Sequence, residues 1–254
     1  MVVSINGTHC SSTNFDWLRD SGFRYGYGCF ETMRMINGKL PLFDKHEARL
    51  NRSLNHFGIN YSSVGLQERV LALLSKLKQP TGICQVHVTA GPLHMAPGFT
   101  ATPTEIISHA PLPSSSSWNW CFFPISPHEF YQHKSMAYAH HIHALSKCSY
   151  WPIYTDSADM IIDSSIFSLG FITANTITFA KHDYQLPSVS RQVITESWQY
   201  GGMTHKPITT NDWLASDVRF GCNAVRGVFE LKTPDEPSRP EHPLIEKMNR
   251  CLGF

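Results

Sequence analysis

Four histidines and two lysines fall within one short run, HKSMAYAHHIHALSK, from His133 to Lys147. An imidazole near neutral pKa moves protons or binds metal, and a lysine amine condenses with carbonyls. Met136, Ala139, Ile142 and Leu145 recur at helical spacing, which predicts a helix across the run. On such a helix only His140 and His143 share a face at ligand spacing, and neither an HExxH pattern nor a neighbouring carboxylate completes a set. No metal is therefore expected, and most of these histidines belong on a polar helix face or lining a cleft. The chain has no GxSxG elbow, no GxxxxGK[ST] phosphate loop and no GxGxxG opening a helix. The glycines of YGYGCF precede a strand and suit a tight backbone bend against a ligand or a neighbouring strand.

The elements that must position these groups are bounded by composition. A chain of 254 residues, 42% of them hydrophobic, can build one large domain or two small ones. A formal net charge of +1 is no electrostatic footprint for nucleic acid or an anionic membrane, so a small-molecule partner is expected. The seven cysteines, at 10, 29, 84, 121, 148, 222 and 251, form no CxxC pair and suit free thiols in a reducing compartment. The start, MVVSINGTHC, lacks the features of a signal peptide, and no apolar run approaches the roughly 18 residues of a membrane span. These features together predict a soluble, cytoplasmic protein.

Residues 1–110 alternate short strands and helices. VVSING predicts a strand and turn, and CFETMRMINGKLPLF a hairpin about a type I′ turn at Asn37-Gly38. DKHEARLNRSLNHFGI predicts a helix with Asp44 and Glu47 at capping-box spacing, Leu50, Leu54 and Phe57 in period, and Gly58 ending it. A helix in LQERVLALLSKL and buried strands in GICQVHVTAG and TEIISHA follow. PLPSSSS, at 111–117, is the expected linker between a smaller domain, 1–112, and a larger one, 113–254. Beyond it the expected elements are a strand at 118–125, the helix of the histidine run, strands in DMIID and TANTITFA, a helix near 190–201, and strands in VRFGCNA and GVFELK. Residues 233–243, rich in proline and charge, predict an exposed loop before a short last helix. The fold class is α/β, two α+β domains with a ligand cleft between them.

The run RYGYGCFETMRMINGKLPLFDKHEARLNRSLNHFGI, Arg24 to Ile59, resembles the N-terminal signature of the class IV aminotransferases, the fold type IV enzymes of pyridoxal 5'-phosphate. INGTH, VHVTAGP, IID with ANTITF, LPSVSRQ and CNAVRGVFEL match further family segments in order, and the last is most like the aminodeoxychorismate lyases. The resemblance implies a D-amino-acid aminotransferase-like fold, a homodimer, pyridoxal 5'-phosphate and a small carboxylate substrate. It implies that Arg49 in HEARL binds the cofactor phosphate, with the backbone of Val189 and Ser190 at a helix N-terminus and the loop of Asn223 and Ala224.

For the lysine that condenses with the cofactor aldehyde, two registers compete. Matching KSMAYA to the family's KSLNYL selects Lys134, whereas counting from Ser126-Pro127 selects His140, and histidine cannot make that bond. Three positions depart from the family pattern: Gly170 stands for the glutamate at the pyridine nitrogen, Ala90 for the arginine of TRG, and Tyr27 for the aspartate of YGDG. Tyr27, Arg34 and Arg226 are the candidate substrate contacts. The function so implied is elimination of pyruvate from 4-amino-4-deoxychorismate to give 4-aminobenzoate, through Lys134 and the cofactor. One alternative is a cofactor-independent lyase or related enzyme on chorismate or a similar cyclic acid, with the site rebuilt around His140, His141, Tyr27 and Arg34 and His140 as acid or base. Another is a non-catalytic binding protein on the same scaffold.

Overall fold

Alternation along single strands decides which side chains of the first sheet meet the helices. The computed structural model describes residues 2–10, 16–76, 81–93, 96–100, 102–114, 118–236 and 240–254, so parts of the expected linker and of the late loop lie outside the described residues. The chain forms two units, Met1–Ser114 with His133–Tyr138, and Ser115–Gln132 with Ala139–Phe254.

The first unit holds β1 (Val2–Ile5), β2 (Thr8–Cys10), α1 (Ser21–Tyr25), β3 (Gly28–Met35), α2 (Phe43–His56), α3 (Leu66–Leu74), β4 (Gly82–Thr89) and β5 (Thr104–Ala110). Its strands make one antiparallel sheet in the order β2-β1-β5-β4-β3. In β3, Cys29, Glu31, Met33 and Met35 are buried while Phe30, Thr32 and Arg34 are half-exposed, the period of a strand with one face covered. The buried face packs with Leu50 and Leu54 of α2 and Val70 and Leu73 of α3. The hairpin expected after β3 is only its turn: Asn37 and Gly38 take positive φ and Ile36 and Lys39 exchange two 3.0 Å hydrogen bonds, but Pro41 follows and no second strand forms.

Helix α2 begins earlier than its expected cap. Leu42 is the N-cap with no side-chain hydrogen bond, so Asp44 lies in the first turn beside the helix dipole and caps nothing. Its C-terminus is a Schellman motif: Gly58, at φ 66°, donates to Asn55 O, and Ile59 donates to Leu54 O.

The second unit holds β6 (Trp120–Pro124), α4 (Ala139–Lys147), β7 (Trp151–Thr155), β8 (Ile161–Ser164), β9 (Ser168–Thr173), β10 (Thr176–Ala180), α5 (Val189–Ser197), β11 (Met203–Lys206), α6 (Thr210–Leu214), β12 (Val218–Asn223), β13 (Gly227–Leu231) and α7 (Pro243–Cys251). The strands form sheets in the orders β6-β7-β8 and β11-β10-β9-β12-β13. Lys232 N–H bonds Trp118 O at 3.2 Å and Ile161 N–H bonds Ile208 O at 2.9 Å, so the sheets are stitched at both ends around an aromatic core that includes Trp120, Phe167, Phe171 and Trp213. The segment TANTITFA is not one strand: Ala174 and Asn175, with φ of 47° and 62°, make the turn between β9 and β10.

Gly58→Ala puts a Cβ into left-handed backbone with nothing else within 4 Å, so conformation alone is charged to the fold. A loss of about 1 kcal/mol in urea unfolding is the expected outcome.

Candidate active site

The first unit buries a carboxylate where its sheet meets α2. Glu31 lies on the covered face of β3, and His46 and Arg49, three residues apart on α2, both reach it. Arg49 Nε donates to Glu31 Oε1 at 2.7 Å and Nη2 to Oε2 at 2.6 Å, a bidentate fork, while His46 Nδ1 lies 2.7 Å from Oε2. Burial alone would raise the Glu31 pKa, but the Arg49 charge and the hydrogen bonds outweigh it and hold the carboxyl down at about 2. Burial keeps His46 neutral, and its buried Nε2 has no hydrogen-bond partner. Arg49, assigned by resemblance to a phosphate, is thus oriented by a carboxylate and is 8% exposed.

The histidine run is not one helix. Residues 133–138 are not helical and run beside β3: Phe30 N–H bonds Lys134 O at 2.9 Å, Met136 N–H bonds Gly28 O at 2.8 Å, and Cys29 bridges Ser135. Only Ala139–Lys147 is helical, and Ile142, expected on the apolar face, is exposed while Ala144 is buried. Strand-like pairing to an available sheet edge overrides the helical period of Met136 and Ala139.

This pairing places the Lys134 amine 4.4 Å from the ring centre of Phe30 and 5.9 Å from that of Tyr138. His87, opposite Phe30 on β4, stacks on that ring at 5.4 Å. Burial, and then the Lys134 charge, keep the His87 imidazole neutral, with its pKa pushed down to about 4. Arg34 lies on the same face of β3 as Phe30. The Tyr27 hydroxyl donates to Phe57 O, and its ring meets Phe57 and Phe99 edge-on. Ala90 is fully buried in the core of this unit.

In the second unit, α5 opens at Val189 with Ser188 as N-cap, whose Oγ accepts from Arg191 N at 3.2 Å. Helix geometry leaves the Val189 and Ser190 N–H groups without intrahelical acceptors, and the Ser190 hydroxyl, 1% exposed, has no partner. Asn223 Oδ1 accepts from Val225 N at 3.0 Å and Arg226 N at 2.7 Å, so it shapes the turn that carries Ala224 and Arg226. His140, in the first turn of α4, stacks on Tyr131 at 4.5 Å and lies 3.9 Å from the His141 ring. His141 Nδ1 is 2.7 Å from the Tyr154 hydroxyl, which is 2.8 Å from Ser165 Oγ. Glu31, Tyr154 and Ser165 were not singled out by sequence reasoning; for Glu31 the His46-to-Arg49 spacing facing an inward acid on β3 was a usable signal.

Pyridoxal 5'-phosphate needs an amine, an anion site and, for full electron withdrawal, an acid at its ring nitrogen. Each unit by itself offers residues of the fitting kind: the first the Lys134 amine and the Arg49 guanidinium, whose Nε and one Nη2 proton are taken by Glu31, and the second the orphan Ser190 hydroxyl at a helix N-terminus. The third requirement is not met. A Cβ added to Gly170 would meet Phe220 Cζ at 2.4 Å and Thr178 O at 2.8 Å, so an aromatic ring occupies the place where the resemblance calls for a glutamate. Asp163 lies in the same unit: its Oδ2 accepts from Leu186 N at 3.2 Å, its buried Oδ1 has no hydrogen-bond partner, and burial raises its pKa to about 7. The residues therefore fit the cofactor's carbonyl and phosphate and leave its ring nitrogen without an acid at position 170.

Comparison with known proteins agrees with this architecture. The sequence model of the family described as amino-transferase class IV matches residues 28–233. The chain belongs to that family. A 4-amino-4-deoxychorismate lyase of Pseudomonas aeruginosa superposes with a TM-score of 0.84 at 20% identity, over 98% of this chain and 97% of that one. A branched-chain aminotransferase of the archaeon Thermoproteus uzoniensis gives 0.85 at 16% identity, over 100% and 95%. A hypothetical aminotransferase of Mycobacterium tuberculosis in its PLP-bound form gives 0.81 at 15%, over 100% and 98%. These likenesses establish the fold. A D-alanine aminotransferase of Staphylococcus aureus is 35% identical over 74 residues, a match spanning 28% of this chain and 26% of that protein. Among the described residues no helix is long and apolar enough to cross a membrane, and no cluster of metal-binding side chains occurs.

Two outcomes follow from this geometry. Because Glu31 has a depressed pKa, its contribution to stability is complete above its unfolded value, near 4.5, and is lost as pH falls through about 2. Unfolding free energy measured across that window should fall by about 3 kcal/mol, and Glu31→Gln should flatten the slope there. Gly170→Ala should cost about 1–3 kcal/mol by overpacking. A double-mutant cycle with Phe220→Ala should return a non-zero coupling, whereas simple additivity would show that the two sites do not touch.

Proposed function

We propose that this family member is a lyase that eliminates pyruvate from 4-amino-4-deoxychorismate and leaves 4-aminobenzoate. The observation that favours elimination over amino-group transfer is the Phe220 ring packed on Gly170. When bound, pyridoxal 5'-phosphate draws electrons from a substrate carbon, and it does so less strongly without an acid at its ring nitrogen. Amino-group transfer depends on that withdrawal throughout, while loss of an enolpyruvyl group from a cyclohexadiene acid is also driven by aromatisation. The fold is shared with the Pseudomonas lyase and equally with the aminotransferases, so the choice between the two reactions rests on position 170.

In this reading Lys134, Arg49 and the Val189–Ser190 turn hold the cofactor, with the loop of Asn223 and Ala224. With the cofactor bound, Lys134 Nζ would hold its aldehyde and would be the base that carries the proton. Glu31 and His46 act through Arg49, fixing the guanidinium plane. Arg34 and Arg226 take the substrate carboxylates, and the Tyr27 ring contacts the substrate. A cytoplasmic homodimer is part of the same proposal.

A second reading is favoured by the hydrogen-bonded series His141, Tyr154, Ser165 and the His140 ring beside it. There the elimination proceeds without the cofactor, and an imidazole held by Tyr154 moves the proton. One experiment separates the two. Purified protein given pyridoxal 5'-phosphate should gain a visible absorption band that Lys134→Ala loses, together with release of pyruvate and 4-aminobenzoate in equal amounts and a loss of activity on the order of a thousand-fold in that variant. A colourless protein that releases pyruvate and is disabled by His141→Ala supports the second reading. Absence of turnover with either acid sinks both.

A further inference from the structure

Among the cysteines whose side chains are described, Cys121 and Cys148 stand apart in what they touch. Cys121 lies near the start of β6, paired in register with Pro152 of β7. Cys148 follows the last residue of α4, and its N–H bonds Ala144 O at 3.1 Å. The topology explains why they meet: β6 and β7 are parallel neighbours, and the chain must return by α4 to the starting end of the pair. The Cys121 and Cys148 thiols lie close enough to influence each other, Cys121 Sγ is 3.9 Å from the carbonyl O of Tyr150, two residues beyond Cys148, and both side chains are half-exposed. Cys29, Cys84 and Cys222 are buried, each with its thiol pushed up to about 12 chiefly by burial, and Cys251 lies elsewhere, 4.0 Å from Ser197 O.

We propose that Cys121 and Cys148 are a reversible dithiol–disulfide site, oxidised by exchange with a small-molecule disulfide of the glutathione class. Burial, and then the neighbouring sulfur, push the Cys121 thiol up, and in the proposed order Cys148, in the loop after α4, attacks first. The Cys148 thiolate attacks one sulfur of the small disulfide, forming a mixed disulfide and releasing one thiolate. Cys121 then loses its proton to solvent, attacks Cys148 Sγ and expels the second thiolate. Two protein thiols are oxidised and one small disulfide is reduced to two thiols, so electrons and protons balance.

The closed loop contains Lys134, His140 and His141, and its bond fixes the C-terminal end of α4 to β6. Oxidation therefore bears on the segment that carries both functional readings, although the proposal rests on neither.

The test uses the full chain. Purified protein is equilibrated with oxidised glutathione, quenched by alkylation, and weighed intact and as non-reduced peptides. The expected result is a loss of about 2 Da, two fewer alkylatable thiols, and one cross-linked species joining Cys121 to Cys148, all reversed by dithiothreitol. Cys121→Ser should stop at a glutathione adduct on Cys148, and Cys148→Ser should give no cross-link. Unchanged alkylation of both thiols, a stable adduct on Cys148 in the unsubstituted protein, or a cross-link to any other cysteine overturns the proposal.

Discussion

A carboxylate taken out of water is the constraint on which the first unit depends. Glu31 is 1% exposed in the middle of a strand, and an unpaired charge there would be intolerable. Two side chains of α2 answer it, so the helix is held to β3 in one rotation and one register, beyond what apolar packing by Leu50 and Leu54 would require. Such a pair adds little net stability over well-packed apolar groups, but breaking one partner is costly, so it specifies an arrangement. The arrangement it specifies has a guanidinium held flat at the end of a bidentate fork and a strand whose edge and outer face receive the segment that carries Lys134.

The second unit answers a different requirement with apolar packing. Its sheets, joined at both ends, enclose aromatic side chains, and that density reaches position 170, where the absence of a Cβ admits the Phe220 ring. The polar groups that remain are local. Ser188 and Ser190 dress the start of α5, Asn223 folds the turn after β12, and Tyr154 ties His141 to Ser165.

Local periodicity made much of this legible beforehand. The inward and outward positions of β3, the body of α2, the strands β4, β5, β12 and β13, and the last helix all follow from alternation or from helical spacing within a few residues. The family signature adds the fold and names Arg49 and the Val189–Ser190 turn. Three features resisted. The cap of α2 falls on Leu42, since Asp44 was drawn into the first turn. The hairpin after β3 is cut short by Pro41. The turn at Ala174-Asn175 looks like strand sequence because its neighbours are β-branched.

What the sequence determined by itself is the set of local choices and the family: where apolar faces fall, which residues are available for chemistry, and that an acid is missing at position 170. What only the tertiary structure decided is how distant segments use one another. Residues 133–138 carry a helical pattern, yet they pair with β3 instead, because its edge offers backbone groups that a helix could not answer. Lys134 meets Phe30, and Cys121 meets Cys148, for the same reason: strand pairing and crossover geometry join residues across long separations, and no local period encodes the partner.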